Sequence, residues 1–374
     1  MNRFQLALSA CLPVFAMLGA TPGAAKPAAG AEASMRALYA SRPFDVARKS
    51  LAADYDRMVS EITTLTEIPA PPFKEAKRAA AYLEMLRAAG LQDVEMDAEG
   101  NVMGLRKGTG GGPLLVVAAH LDTVFPEGTP IKVRREGDYL HAPGIGDDTS
   151  SLPVLLAFIR ALDKAGIRTR SDILFMGDVG EEGPGDLRGM RHLFTKGKYK
   201  GRIAQFISIE PGRDRVTNGG VGSKRYKVTF TGPGGHSYGA FGLVSPAYAM
   251  GDAIVEFGKM KVPAHPRTTF NVGVVEGGTS VNSIPFETAM TVDMRSESKD
   301  ELAKADAYLH SILPGAVDRE NAARSTARGK ISYEAKLIGD RPVGHTADDN
   351  ALVRTAYAAI AVGGGKPELE SSST

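Results

Sequence analysis

The clearest pattern along the chain is a set of three apolar runs, each followed closely by polar or charged residues. The runs occupy positions 114–119, 173–176 and 203–209. Short continuous runs of this kind predict strands that are buried on both faces, as in a mostly parallel sheet. Polar residues that follow such strands gather at the carboxyl edge of the sheet, where open α/β folds bind their ligands.

Apolar residues at helical spacing lie between these strands. They predict helices over Asp54 to Leu65, Lys74 to Ala89 and Leu152 to Leu162. An alternating pattern around Glu99-Gly100-Asn101 predicts a β-hairpin from Val94 to Leu105. This order of strands and helices indicates an α/β catalytic domain.

The pattern changes after Gly219-Gly220. From there to about residue 340, the predicted elements follow the order β-α-β-β-α-β, which is the order of a ferredoxin-like α+β module. We therefore expect a module at 220–340 that interrupts an α/β domain formed by residues 35–219 and 341–374.

The first residues have the features of a secretion signal. Arg3 supplies a positive charge, residues 4–20 are mostly apolar, and small residues follow. We expect a signal peptide at 1–25, a linker at 26–34, and a periplasmic or secreted protein. No stable membrane anchor is expected, because the apolar run is short for a membrane span.

Charge and cysteine content argue against two classes of function. The formal net charge is +2, with 45 basic and 43 acidic residues, and the basic residues are scattered, so a nucleic-acid partner is not expected. The run Lys224-Arg225-Tyr226-Lys227 is typical of the solvated face of a strand. Cys11 is the only cysteine, so the chain has neither an internal disulfide nor a thiolate metal site.

Candidate chemistry lies directly after the predicted strands. His120 and Asp122 follow the first strand, and residues i and i+2 of an extended chain point in the same direction. The carboxylate can therefore orient the imidazole or a metal beside it. Glu181 and Glu182 follow the second strand, and Glu210 follows the third. Each motif alone has a simpler explanation, such as a strand-end histidine or a solvated turn.

A glycine-rich loop before the third predicted helix carries Asp147 and Asp148. Either aspartate alone is equally consistent with a helix N-cap. However, three strands and this loop deliver acids or a histidine to what should be the same edge of one sheet. That convergence favours a metal site.

The residue types match a two-metal hydrolytic site. Two divalent cations about 3.5–4 Å apart need a bridging carboxylate with histidine and carboxylate ligands on either side. Asp147 fits the bridge, and the residues that fit as terminal ligands are His120, Glu182 and Glu210. Zinc takes such ligands and leaves a position for water, whose pKa falls towards about 7, so that metal-bound hydroxide is available. Glu181 fits the general base that passes the water's proton to the leaving amine.

Four motifs together resemble the dinuclear zinc peptidases related to aminoacylase-1, which include bacterial glutamate carboxypeptidase, succinyl-diaminopimelate desuccinylase and peptidase T. The motifs are His120-Leu121-Asp122, Gly144-Ile145-Gly146-Asp147-Asp148, Glu181-Glu182 and Ile209-Glu210-Pro211. The resemblance covers the chain from about Asp54 onward. It implies a zinc-exopeptidase domain interrupted by a ferredoxin-like lid, two Zn²⁺ ions that Co²⁺ or Mn²⁺ can replace, and the same metal ligands. It also implies that Asp122 supports His120 and that Glu181 is the base. Thr149 departs from the pattern, since many members have lysine there.

The same resemblance implies functions for three residues of the inserted module. It implies that His236 reaches the active site of a partner subunit, in a homodimer formed through the lid, and hydrogen-bonds the tetrahedral oxyanion. It implies that Asn282 and Arg295 bind the substrate's backbone or terminal carboxylate. Without the resemblance, His236 is more simply explained as a turn histidine.

The resemblance also sets an expectation for the end of the chain. In the family, further strands and helices and a last metal-binding histidine follow a Gly/Ser-rich stretch that ends in Thr. This sequence stops at Thr374. We therefore expect the second part of the catalytic domain to be truncated and one metal to lack a ligand.

Together, these observations predict a secreted metal-dependent hydrolase that cleaves an amide bond in a small peptide or an acylated amino acid. An N-acyl-amino-acid amidohydrolase or carboxypeptidase is the alternative to an aminopeptidase. A peptide-binding relative without catalysis is an alternative of another class.

Overall fold

The structure is a computed structural model that describes residues 29–110, 112–210, 212 and 214–372. The signal peptide expected at 1–25 lies outside these residues. The linker expected at 26–34 is helical from Ala29 onward, because this stretch is rich in Ala, a good helix former. None of the helices in the described ranges is long and apolar enough to cross a membrane.

The described residues form helices and strands with the following bounds. The helices are α1 (Ala29–Tyr39), α2 (Arg42–Ala53), α3 (Tyr55–Thr66), α4 (Ala76–Ala88), α5 (Ser151–Lys164), α6 (Arg188–Thr195), α7 (Pro246–Phe257), α8 (Lys299–Ala323) and α9 (Ala351–Val362). The strands are β1 (Gln92–Met96), β2 (Val102–Arg106), β3 (Leu114–His120), β4 (Arg134–Glu136), β5 (Tyr139–His141), β6 (Ile173–Asp178), β7 (Ile203–Ser208), β8 (Arg215–Gly220), β9 (Gly222–Thr231), β10 (Gly235–His236), β11 (Thr268–Gly277), β12 (Ser283–Ile284), β13 (Glu287–Ser296), β14 (Ser332–Arg341), β15 (Gly344–His345) and β16 (Glu368–Ser372).

The chain divides into two compact units. Among the described residues, the first contains those from 29 to 216 together with Asp348–Leu369, and the second contains Thr217–Ala347 together with residues 370–372. The module predicted at 220–340 lies within the second unit. That unit also contains residues 341–347 and 370–372, which the sequence pattern places in the catalytic domain.

The first unit is built on a five-stranded sheet in the order β1-β2-β6-β3-β7. β3 runs parallel to β6 and β7, as the apolar runs predict. The β1–β2 and β2–β6 pairs are antiparallel. The prediction of a mostly parallel sheet was therefore wrong, and the sheet is mixed, because the predicted hairpin joins it as two antiparallel strands.

The core of the first unit lies on both faces of β3 and β6. Buried side chains on one face include Tyr82, Leu152 and Phe175, and those on the other include Val116 and Leu174. β6 is buried along its whole length. In contrast, β7 is half-buried or exposed, because it lies at the edge of the sheet with β3 as its one neighbour. The prediction of a third fully buried strand was wrong.

The second unit contains a four-stranded sheet in the order β11-β13-β9-β14, with every neighbouring pair antiparallel. Helices α7 and α8 pack on the face that carries Tyr226, Val228 and Phe230. The strands of this sheet and the two helices follow the predicted order β-α-β-β-α-β, and the two-residue strands β10 and β12 are additional to it.

Candidate metal centre

The candidate site lies where three parallel strands of the first unit end. His120 at the end of β3 is paired with Asp178 at the end of β6, and the Leu121 N–H donates to the Asp178 carbonyl at 2.7 Å. β7 ends at Ser208, two residues before Glu210. The strand ends therefore lie side by side, as expected for a ligand site in an open α/β sheet.

His120 is buried, with 1% of its surface exposed. Its Nδ1 lies 2.9 Å from the backbone carbonyl oxygen of Asp122, and its Nε2 lies 3.0 Å from Asp147 Oδ1 and 3.8 Å from Glu210 Oε2. A ring that donates its Nδ1–H to a carbonyl presents the lone pair of Nε2 to a metal. The ring is therefore set up to be a ligand through Nε2.

Two overlapping groups of ligand atoms meet at this ring. Atoms of His120, Asp147 and Glu182 lie within 4.8 Å of one another, and so do atoms of His120, Asp148 and Glu210. One imidazole nitrogen with several carboxylate oxygens is a donor set that divalent zinc, cobalt or manganese accepts. The structure thus brings all four residues predicted as metal ligands together in a candidate dinuclear site.

Asp148 is a member of this site that the sequence did not assign. Its carboxylate is buried, and its Oδ2 accepts the backbone N–H of His120 at 3.2 Å. The alternative that either aspartate caps the following helix is wrong, because Ser150 holds the N-cap position of α5. The available signal was the position of Asp148 beside Asp147 in the glycine-rich loop.

The buried carboxylate of Asp122 has a wider role than the sequence predicts. Its Oδ1 lies 3.7 Å from His120 Nδ1. The same carboxylate accepts the backbone N–H of Glu181 at 3.1 Å and that of Glu182 at 2.9 Å. Asp122 therefore holds two segments by different groups: its backbone carbonyl lies 2.9 Å from the His120 ring, and its carboxylate accepts the N–H groups of the turn that carries the two glutamates.

Gly180 gives this turn its shape. Its φ is +70°, and a Cβ at this position would lie 2.5 Å from Arg188 Cγ. Any other residue would be strained and would also clash with Arg188. Glycine is therefore required immediately before Glu181.

The carboxyl groups of the site raise one another's proton affinity. Burial raises the pKa of Asp148 to about 8, and burial with neighbouring carboxylates raises that of Glu182 to about 7. Burial alone would lower the pKa of His120, but the carboxylates of Asp122 and Asp147 outweigh it and raise that pKa to about 12. A divalent cation would offset the repulsion among these acids.

The second unit brings together two further predicted residues. His236 pairs with Ser283 between β10 and β12, and the Ser237 N–H donates to the Asn282 carbonyl at 2.9 Å. His236 Nδ1 accepts the backbone N–H groups of Tyr238 and Gly239, each at 3.3 Å. The proton of the neutral imidazole therefore lies on Nε2, which can donate a hydrogen bond.

Arg295 lies apart from this pair. It is opposite Ser223 on the β13–β9 ladder, whereas Glu287, which closely follows β12, is opposite Thr231 at the other end. Glu287 and Arg295 are eight residues apart along β13, which is about 27 Å at roughly 3.4 Å per residue. Arg295 Nε donates to Asp293 Oδ2 at 2.9 Å. Within one chain, Arg295 is not brought to His236 and Asn282.

Comparison with known proteins gives a family match over most of the chain. Residues 116–374 match the family model described as Peptidase family M20/M25/M40. Carboxypeptidase G2 from Pseudomonas sp. (strain RS-16) is 25% identical over 292 residues, which is 72% of this chain and 68% of the relative. Succinyl-diaminopimelate desuccinylase from Leptothrix cholodnii is 24% identical over 60% of this chain and 62% of its own length.

Solved structures show the same fold. Aminopeptidase PepT from Bacillus cereus superposes with a TM-score of 0.67 at 21% identity, covering 85% of each chain. A tripeptidase from Staphylococcus aureus gives a TM-score of 0.68 at 20% identity, over 85% of this chain and 84% of its own. A dinuclear metal-binding peptidase from Bacillus subtilis gives 0.62 at 16% identity, over 86% and 84%.

Proposed function

This chain belongs to peptidase family M20/M25/M40, and on that premise we propose that it is a secreted zinc hydrolase of small peptides or acylated amino acids. The observation that carries the proposal is the cluster of His120, Asp147 and Glu182 ligand atoms within 4.8 Å, directly beside Glu181. The signal-like pattern of the first 25 residues supports secretion.

Five residues of the first unit act in the proposed reaction, four as metal ligands and one as the general base. His120, Asp147, Glu182 and Glu210 would hold the zinc, which when bound would supply Lewis acidity to the scissile carbonyl and to the attacking water. Glu181 takes a proton from the attacking water and gives it to the leaving amine. The exposed carboxylate of Asp147 marks the side from which a substrate reaches the site.

His236 supplies the oxyanion contact in this proposal. Its Nδ1 accepts two backbone N–H groups, so Nε2–H is the donor that the ring offers. A preorganised donor aimed at the developing oxyanion stabilises the transition state of acyl transfer. Asn282 is held beside it by the β10–β12 pair and contacts the substrate backbone.

We propose that a homodimer assembles the complete site. Arg295 lies about 27 Å along β13 from the end near His236 and Asn282 (at roughly 3.4 Å per residue), so one substrate cannot contact both groups of the same chain. The segments around His236 and Asn282 carry large, almost fully exposed apolar side chains, Tyr238, Phe241 and Val281. β11 is an edge strand with exposed valines. Exposed apolar surface and an open strand edge favour pairing with a second chain.

The direction of cleavage has two candidates. The names of the relatives carboxypeptidase G2 and succinyl-diaminopimelate desuccinylase favour a substrate with a free carboxylate on the leaving amino acid. Arg295 is the group that would bind that carboxylate. The solved aminopeptidase PepT and tripeptidase have the same fold and represent the aminopeptidase alternative.

Product analysis on one zinc-loaded enzyme preparation tests the proposal. A dipeptide is offered free, N-acetylated and C-amidated, with Glu181→Gln as the control for contaminating peptidases. Cleavage that tolerates the acetyl group and stops on amidation shows carboxypeptidase or acylase activity, whereas the reverse shows an aminopeptidase. Absence of cleavage of all three forms, with measurable peptide binding, would replace the proposed enzyme by a non-catalytic binding protein.

A further inference from the structure

Arg78 is a buried cation whose place in the fold is unusual. It lies on α4 with 1% of its surface exposed, on the same face as the fully buried Tyr82 and Leu86, one and two helical turns further on. A guanidinium at such a position is costly unless its donors are satisfied. Its partners therefore show what holds it there.

The guanidinium donates to oxygens of three chain segments. Nη1 donates to the Leu121 carbonyl at 2.8 Å and to Thr149 Oγ1 at 3.0 Å. Nε and Nη2 donate to the Ile68 carbonyl at 3.0 and 2.7 Å. These acceptors are neutral, so the positive charge is not cancelled by a direct ion pair with any of them.

Two of these segments carry the metal-binding residues. Leu121 lies between His120 and Asp122, and Thr149 follows Asp147 and Asp148. A single nitrogen, Nη1, contacts both segments. Burial lowers the pKa of Arg78 to about 10, against the opposing effect of the nearby Asp122 carboxylate, so the side chain is charged at neutral pH.

We propose that Arg78 is a positioning residue of the metal centre: it fixes the spacing between the His120 strand end and the Asp147 loop, and its charge offsets part of the acidic ligand set. The inference rests on the proposed function only in taking this cluster to be the metal site. It predicts that metal affinity depends on a cation placed between Leu121 and Thr149.

Zinc affinity, measured by competition with a chromogenic chelator, tests this without an activity assay. We expect Arg78→Ala to bind zinc about 10–100-fold more weakly, and Arg78→Lys to lose less, because it keeps the charge. Arg106→Ala is the matched control. Arg106 is also a largely buried arginine of the first unit, but it bonds Asp163 and the Ile167 carbonyl, so its loss should lower thermal stability and leave zinc affinity within about twofold.

Moving the positive charge to a neighbouring position distinguishes the effect of losing the charge from the effect of losing packing. Because Arg78 Nη1 and Thr149 Oγ1 are 3.0 Å apart, a lysine at position 149 places its ammonium in the space that Arg78→Ala vacates. The double variant Arg78→Ala/Thr149→Lys should regain about tenfold or more of the lost zinc affinity. The proposal is overturned if Arg78→Ala, or Arg78→Gln should the alanine variant be insoluble, binds zinc as tightly as Arg106→Ala. If the double variant recovers no zinc affinity, the part of the proposal that concerns the charge of Arg78 is overturned. Zinc affinity that changes as predicted in a protein that hydrolyses no peptide would support this inference and contradict the proposed function.

Discussion

The carboxylate of Asp122 accepts the backbone N–H of Glu182 at 2.9 Å, across 60 residues of sequence. The same carboxylate faces His120 and also accepts the N–H of Glu181. Asp122 therefore links an imidazole at the end of β3 to the turn that follows β6. The position of the proposed general base and of one proposed metal ligand depends on a residue that need not bind metal itself.

We expect Asp122→Ala to weaken zinc binding by about 10–100-fold, because the turn that carries Glu182 loses both of its hydrogen bonds to the carboxylate and His120 loses a neighbouring negative charge, although its backbone contact remains. Two backbone N–H groups would also lose their acceptor, at roughly 1–3 kcal/mol each where buried. Zinc titration and thermal unfolding measure the two effects. Asp163→Ala, which removes a carboxylate bonded to Arg106, is the control that should change stability alone. Equal zinc affinity in the two variants would contradict the role given to Asp122.

Glu181 and Glu182 are adjacent but should behave differently. Glu181→Gln should keep the metal content of the unmutated protein and lower kcat by about 10²–10⁴-fold, because it removes the proton acceptor. Glu182→Gln should lower metal content, because it removes a ligand. Elemental analysis and kcat on both variants distinguish the roles. Loss of metal from Glu181→Gln would move that residue into the ligand set.

Mixed dimers test the contribution of His236 across subunits. His236→Ala should lower kcat by about 10²–10³-fold with unchanged metal content. A dimer that combines one His236→Ala subunit with one Glu181→Gln subunit holds one intact composite site, and should show roughly half the wild-type kcat per dimer. Differently tagged subunits purified through both tags ensure that only mixed dimers are assayed. Activity no higher than that of the parent variants would show that His236 does not act in trans.

Metal binding should strengthen as the pH rises. In the metal-free protein, Asp148 and Glu182 have pKa values raised to about 8 and about 7. An acid whose folded pKa exceeds its unfolded value destabilises the fold progressively as the pH rises from the unfolded to the folded pKa. Zinc bound at the site would favour the ionised form of both carboxyl groups and remove that loss, so the increase in Tm on adding zinc should be larger at pH 8 than at pH 5.5. Equal increases at the two pH values would contradict this set of protonation states.

Residues at strand ends were predictable from sequence, whereas their long-range contacts were not. His120, Glu182 and Glu210 follow apolar runs whose parallel alignment brings them to one edge. The hydrogen bonds from the Glu181–Glu182 turn to Asp122 and from Arg78 to Thr149 join segments 59–71 residues apart, and no local pattern encodes them. Arg78 did leave one signal, since it occupies an apolar face of α4.

The pairing of strands in the first unit's sheet shows the same difference between what the local sequence encodes and what it does not. The hairpin of β1 and β2 was found from its alternation, but its attachment to β6 in antiparallel orientation is a tertiary pairing that hydropathy does not specify. β7 reads as a buried strand because its sequence is apolar, yet its place at the edge of the sheet leaves it half-covered.

Gly220 of β8 pairs with Gly344 of β15, and the Thr346 N–H donates to the Asn218 carbonyl at 2.7 Å. The polypeptide therefore enters and leaves the four-stranded module through a stem of two paired segments, β8 and β15, and β16 pairs with the other edge of β8. Segments whose ends lie side by side are the ones that evolution and protein engineers insert, exchange or remove as blocks. The stem thus allows residues 222–341 to be inherited, duplicated or swapped as one genetic cassette, and it gives laboratory recombination a pair of natural cut points.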